Sequence, residues 1–183
     1  MKKILTLFLT LAMLLSLAAC GNKEDNTPVE DDKTQEENIQ EDNTQTETAE
    51  QVDLAAFYTA VCEKYGENFP ATVNLTEMPE SMDGFFPGLS AIEAKQLMIY
   101  QPMMGAVVCE IALVEVANEA DVAAVKEILQ ARIDAQVDGG AWYPESMEGW
   151  QKNSRIVDNG NYVMMIAYSE CDEIVDSFNA LFA

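Results

Sequence analysis

The 183-residue chain contains no histidine. That removes Ser-His-Asp and Cys-His catalysis, histidine proton shuttles, and the usual zinc and non-haem iron sites. Basic residues are scarce: 10 Lys and Arg stand against 32 Asp and Glu, for a formal charge of -22. Nucleic-acid partners are excluded by this balance, because phosphate binding needs a basic footprint, and docking on anionic headgroups is disfavoured for the same reason. Of the four cysteines, Cys20 lies far from the rest, which leaves Cys62, Cys109 and Cys171. Three is an odd number and no C-x-x-C occurs, so neither a full disulfide framework nor a thiol redox motif is indicated. Cys62 and Cys109 read as small buried hydrophobes. Cys171 opens the last expected helix, where the helix N-terminus would lower a thiol pKa. No metal or cofactor is expected. Glu110, Glu115 and Asp158 would suit paired-carboxylate glycoside hydrolysis only if two of them faced one cleft, and spacing singles out no pair, so no catalytic residue is assigned.

Long apolar runs are also missing, apart from Ile4 to Leu15, which follows Lys2 and Lys3. A membrane helix needs about 20 apolar residues, so this run is short for one and suits a secretory signal. It ends in Leu17-Ala18-Ala19-Cys20, which resembles a bacterial lipobox. The resemblance implies cleavage between Ala19 and Cys20, a thioether-linked lipid on Cys20 and a further acyl chain such as palmitate on the new N-terminus. The expected partner is then the membrane, through the lipid on Cys20, at its extracytoplasmic face. Removing residues 1–19 takes away two lysines and no acid, so the charge falls from -22 to -24. Two acyl chains give stable anchoring where one gives only marginal binding.

The organisation that follows is a signal peptide over 1–19, an acidic tether over 20–51 and one domain over 52–183. Residues 21–51 hold two lysines and eleven acids, with Val29, Ile39 and Ala49 as their only aliphatic residues, too few to bury a core. In the domain, Asp53 is the expected N-cap of a helix bearing Leu54, Phe57, Tyr58, Val61 and Tyr65 on one face before Gly66. Residues 67–96 are punctuated by Pro70, Pro79, Pro87, Gly84 and Gly88 and read as loops with short helical turns. Strands are expected from Leu97 to Gln101 and from Ala106 to about Val116, and a long helix from about Glu119 to Gln136. Two strands, Arg155 to Val157 and Asn161 to Tyr168, flank Asp158-Asn159-Gly160, a strong hairpin signal. A final helix runs from about Cys171 to Phe182. The fold class is α+β: a helix, then two ββα-like units, making a four-stranded, mainly antiparallel sheet packed with helices.

Pro79-Glu80-Ser81-Met82-Asp83-Gly84-Phe85 recurs as Pro144-Glu145-Ser146-Met147-Glu148-Gly149-Trp150. The match is either a duplicated ββα unit with two aromatic-tipped turns at one end, or a local convergence, since Pro-Glu starts helical turns well and Gly ends them. Phe85, Phe86, Trp142, Tyr143 and Trp150 would form a stacking platform for a sugar ring or a peptide side chain, with Glu80 and Glu145 accepting hydrogen bonds; the bland alternative is a core plug. Phe85, Trp142, Tyr143 and Trp150 are the candidate ligand contacts. Met103-Met104 and Met164-Met165 read as strand pairs in which one methionine fills the core, in preference to a soft-metal site. Arg132 and Arg155 are the only arginines, and each is expected in a structural salt bridge.

Pro102-Met103-Met104, Glu110-Ile111, Val125-Lys126 with Leu129 and Arg132, Tyr143-Pro144, Gly160-Asn161-Tyr162-Val163 and Ile174-Val175 with Phe178 carry a further likeness. In this order and spacing, residues 52–182 resemble an uncharacterised family, a domain of unknown function found in lipoproteins of anaerobic Gram-positive bacteria. The resemblance implies architecture and location and supplies no chemistry. The expected function is that of a membrane-anchored, non-enzymatic binding or accessory module contacting an envelope protein or a small ligand. The alternative is a carboxylate-dependent cell-wall hydrolase or other envelope-modifying enzyme.

Overall fold

A computed structural model describes residues 51–183. The signal peptide, Cys20 and the acidic tether up to residue 50 lie outside the described residues. The elements are α1 (Leu54–Tyr65), β1 (Thr72–Asn74), α2 (Pro79–Phe85), β2 (Ala94–Pro102), β3 (Glu110–Val116), α3 (Val122–Ala135), α4 (Pro144–Asn153), β4 (Ser154–Asn159), β5 (Tyr162–Ala167) and α5 (Cys171–Asn179). The strands form one antiparallel sheet in the order β1-β2-β3-β5-β4. The fold is α+β, with five strands where the sequence predicts four.

The additional strand is β1. Three residues are too few for an alternating pattern to register, and prolines stand on both sides. What makes it a strand is its partner: Thr72 to Asn74 pair with Pro102 to Tyr100, and the Tyr58 hydroxyl meets Thr72 Oγ1 at 2.6 Å. Two helices also replace expected turns, α2 and α4, and both begin with proline. Proline at the first helical position loses only an N–H that has no partner inside the helix, so it starts the element that it would interrupt elsewhere.

Where the local signal is strong, expectation and structure agree. Asp53 Oδ1 accepts from the Ala56 N–H at 2.9 Å and caps α1, whose Leu54, Phe57 and Val61 are buried. The β4–β5 hairpin turns at Gly160 with φ 53°, a conformation that favours glycine. Asn161 fastens this turn to the end of β3 through its carbonyl, which accepts from Val116 N–H at 2.9 Å.

Helices cover both faces of the sheet. Every residue of β3 is buried. Ala112, Val114 and Val116 face one core with Met82 of α2, Val125, Leu129 and Ile133 of α3, and Trp150 of α4. Ile111 and Leu113 face a second core with Leu54, Phe57 and Val61 of α1 and with Cys171, Ile174 and Phe178 of α5. Strand alternation sends Met165 into the first core and Met164 into the second, so these thioethers point apart. Met103 and Met104 lie in the β2–β3 connection and are both exposed, contrary to the expected core filling by one of them. A surface connection gives neither thioether a wall to pack into.

Candidate functional site: a cleft over a buried ion pair

Arg132 stands three residues after Leu129 and seven after Val125, on the stripe of α3 that faces the sheet. A hydrophobe would ordinarily occupy that place. The guanidinium instead meets Glu110, the first residue of β3, through two parallel bonds: Nε to Oε1 at 2.8 Å and Nη2 to Oε2 at 2.7 Å. Arg132 is 8% exposed and Glu110 1%. A fork of this kind neutralises both charges and fixes the plane of the guanidinium.

The repeated segment supplies the next layer. α2 and α4 each carry one copy, and the last aromatic residue of each copy lies beneath the same cation. The guanidinium carbon is 4.7 Å from the Phe85 ring centre and 5.5 Å from that of Trp150, with Phe86 at 5.7 Å. Such contacts add to the pair's stability because the ring faces are negative. Phe86 itself is fully buried in the core and lies outside the cleft lining, so it leaves the expected platform. The two copies are not equivalent around their helices. In α4, Ser146 Oγ donates to the Ala106 carbonyl at 2.8 Å, and a Cβ on Gly149 would stand 3.0 Å from Val108 Cγ2. In α2, Ser81 is exposed and a Cβ on Gly84 would meet nothing.

Above the pair opens a cleft of about 610 Å³. Its rim comes from two connections: Met103 and Met104 between β2 and β3, and Trp142 and Tyr143 between α3 and α4. Trp142 is 87% exposed and has φ 62°, a left-handed conformation that is a true outlier for a bulky residue. The wide turn Gln136–Gly140, with Gly139 at φ 117°, delivers the chain to that position. Strain of this sort concentrates where the surroundings over-determine a functional geometry.

Three polar groups in the lining have no partner among the described residues. Arg132 Nη1 donates to no acceptor, and it is not enclosed, since Ser154 Oγ is the one buried polar side-chain atom without a partner among the described residues. The side-chain amides of Gln101 and Gln136, both half-buried, likewise bond to nothing among the described residues. The cleft therefore offers a neutral ion-paired floor, a free guanidinium donor, two free amides and an apolar rim of rings and thioethers.

Of the candidate contacts, Phe85, Trp142, Tyr143 and Trp150 all line this one cleft, though Trp150 is buried and presents little of its ring. Glu80 and Glu145 sit exposed in the first turns of their helices, away from the lining. The amides and the Met103-Met104 rim line the cleft too, and no motif in the sequence marks them as contacts. Arg132 on an apolar helix stripe was the available sign that the site was there.

The acids considered for hydrolysis do not converge. Glu110 faces α3, whereas Glu115 lies on the opposite face of β3, and Asp158, on β4, pairs with Lys126 at 2.5 Å. Burial pushes the Glu115 carboxyl up, but hydrogen bonds from Gln96, Gln51 and Lys95 outweigh it and hold the group below the ordinary carboxylate range. Arg155 pairs with Asp172 at 2.8 Å, so both arginines form the expected salt bridges. Cys171 does open α5, but burial raises its thiol pKa against the lowering that a helix N-terminus can give. Burial pushes the Cys109 thiol up to about 12. Among the described residues no group of three acids or cysteines is arranged to hold a metal, and no helix is long and apolar enough to cross a membrane.

Residues 80–168 match the family described as Domain of unknown function (DUF4358). The matched segment contains every residue that lines the cleft, from Phe85 to Trp150. No curated protein and no solved structure matches the chain.

Proposed function

We propose that the chain, whose residues 80–168 match the family described as Domain of unknown function (DUF4358), is a membrane-anchored, extracytoplasmic binding module that holds a small ligand in the Arg132 cleft. One observation carries this reading: a desolvated Arg132–Glu110 pair forms the floor of an open cleft and leaves one guanidinium nitrogen without a partner among the described residues. Ligand sites are concave and mostly apolar, with a few placed polar groups, and about 300–1,000 Å³ is their usual size. The strained, outward-facing Trp142 supports the same reading. So does the lining itself, in which Glu110 is the single carboxylate among the described residues and is held by both oxygens. An enzyme using two facing carboxylates has no second one there. The anchoring part of the proposal rests on the Lys2-Lys3 start, the apolar run and Leu17-Ala18-Ala19-Cys20.

The chain has two tryptophans, Trp142 and Trp150, and both line the cleft, so intrinsic tryptophan fluorescence reports from this site alone. The test is a titration of the full chain with sugars, wall fragments, amino acids, short peptides and calcium, paired with thermal melting. A ligand at a hundred times its Kd should stabilise the fold by about 2.7 kcal/mol and change the fluorescence. A panel that moves neither signal would remove the small-ligand reading and leave a protein partner to be sought by crosslinking.

A further inference from the structure

We infer that the ligand of the Arg132 cleft is an uncharged saccharide, held by stacking on the Trp142–Tyr143 rim and by hydroxyl bonds to Arg132 Nη1, Gln101 and Gln136. The inference rests on the binding reading above and names its ligand class.

Charge narrows the choice first. Residues 51–183 contain six basic side chains against twenty-one acids, a surplus of fifteen negative charges. Each of the six is already in an ion pair: Lys64 with Glu173, Lys95 with Glu115, Lys126 with Asp158, Arg132 with Glu110, Lys152 with Glu148 and Arg155 with Asp172. An anionic ligand would enter a strongly negative domain and find only a cation whose charge Glu110 has cancelled. A cationic ligand fares no better in the cleft, since the accessible charged atom there belongs to Arg132, and Glu110 is 1% exposed with both oxygens taken. Burying a net charge without a counter-ion is costly, so the cleft selects a neutral body.

The unpartnered polar groups narrow it again. An apolar ligand would cover Arg132 Nη1 and the two amides without satisfying them, and each buried group left unpaired costs the full desolvation penalty. A side-chain amide carries both donors and an acceptor, and a hydroxyl does as well, so hydroxyls can satisfy Gln101 and Gln136 in either sense while accepting from Arg132. The three groups come from three separate elements of the lining: Gln101 from β2, Arg132 from α3 and Gln136 from the turn that follows α3. That distribution suits a ring bearing hydroxyls around its circumference. The faces of such a ring carry C–H groups that pack on aromatic surface, which Trp142 and Tyr143 expose at the mouth. The unbranched thioethers of Met103 and Met104 also line the cleft and adapt to ring substituents.

The experiment uses the full chain and tryptophan fluorescence with cellobiose, maltose and N,N′-diacetylchitobiose as neutral probes. Glucuronic acid, trialanine and adenosine serve as an anionic sugar, a neutral peptide and a neutral base. The expected result is saturable binding of at least one neutral disaccharide, with glucuronic acid weaker by about tenfold or more. Gln101→Ala and Gln136→Ala, both away from the core, should each weaken that binding severalfold while melting within a degree or two of the parent. Binding of trialanine, adenosine or glucuronic acid without any neutral disaccharide would overturn the saccharide inference and leave the binding reading standing. Silence from all three disaccharides overturns it too, and the broader screen then decides the binding reading separately. Disaccharide binding unchanged in both glutamine variants would also overturn the assigned contacts.

Discussion

Phe85 and Trp150 occupy the same last place in two copies of one seven-residue pattern, and both rings lie under the guanidinium of Arg132. The likeness between Pro79–Phe85 and Pro144–Trp150 is thus expressed at a single cation. Their helices α2 and α4 otherwise differ in what surrounds them.

That difference is testable with one methyl group. Gly84→Ala should stabilise the protein by about 0.5–1 kcal/mol, because a helical glycine is replaced and the new Cβ meets nothing. Gly149→Ala should give no such gain, because its Cβ would press on Val108 Cγ2 at 3.0 Å. Chemical denaturation of the two variants checks this. Equal gains would mean that α4 does not pack against Val108 as closely as described.

Breaking the ion pair from one side should be far worse than removing both charges. Arg132→Met leaves Glu110 buried without its partner and should cost about 3–5 kcal/mol, whereas Arg132→Met with Glu110→Gln should recover much of that loss. A double-mutant cycle by urea unfolding measures the difference. If the double variant were as unstable as the sum of the singles, the pair would not be coupled.

Trp142 sets stability against function. Trp142→Gly relieves a left-handed conformation and should stabilise the fold by about 1 kcal/mol, while removing the ring that lines the cleft mouth. Melting temperature should rise as ligand binding falls. A variant that loses stability would show that the indole packs on the protein and not outward.

These expectations show how legible the molecule is from its residues. α1, α3 and the β4–β5 hairpin are carried by local signals: a capping Asp53, an apolar stripe, a glycine at a tight turn. β1 has no such signal, since its three residues become a strand only by pairing with β2. α2 and α4 were obscured by prolines that punctuate a loop in one setting and start a helix in another. The aromatic residues of the site are legible as a set, but what unites them is not. That depends on a helix residue and a strand residue meeting across the core, and the pattern holds only half of the clue, an arginine on an apolar face.

Acid should expose the second buried carboxylate. The Glu115 carboxyl is held low in the folded state, so its contribution is fully present above the ordinary carboxylate pKa of about 4.3 and fades as pH falls through the lowered value. Glu115→Gln should cost roughly 1–3 kcal/mol at neutral pH, with the gap to the parent closing below pH 4. Stability curves of both proteins from pH 7 to pH 3 would show it, and a gap independent of pH would contradict it.

Glu115 also determines how the domain would bear load. Gln51 Nε2 donates to Glu115 at 2.9 Å, and Gln96 Nε2 donates both to Glu115 and to the Val52 carbonyl, while its oxygen accepts from Leu54 N–H. The first described residues are therefore stitched to β2 and β3, at the middle of the sheet, and not to an edge. A pull arriving from the N-terminal side would be shared across the most deeply covered strand in the protein. Those side-chain bonds would have to part before the pull reached α1 and, behind it, the edge strand β1.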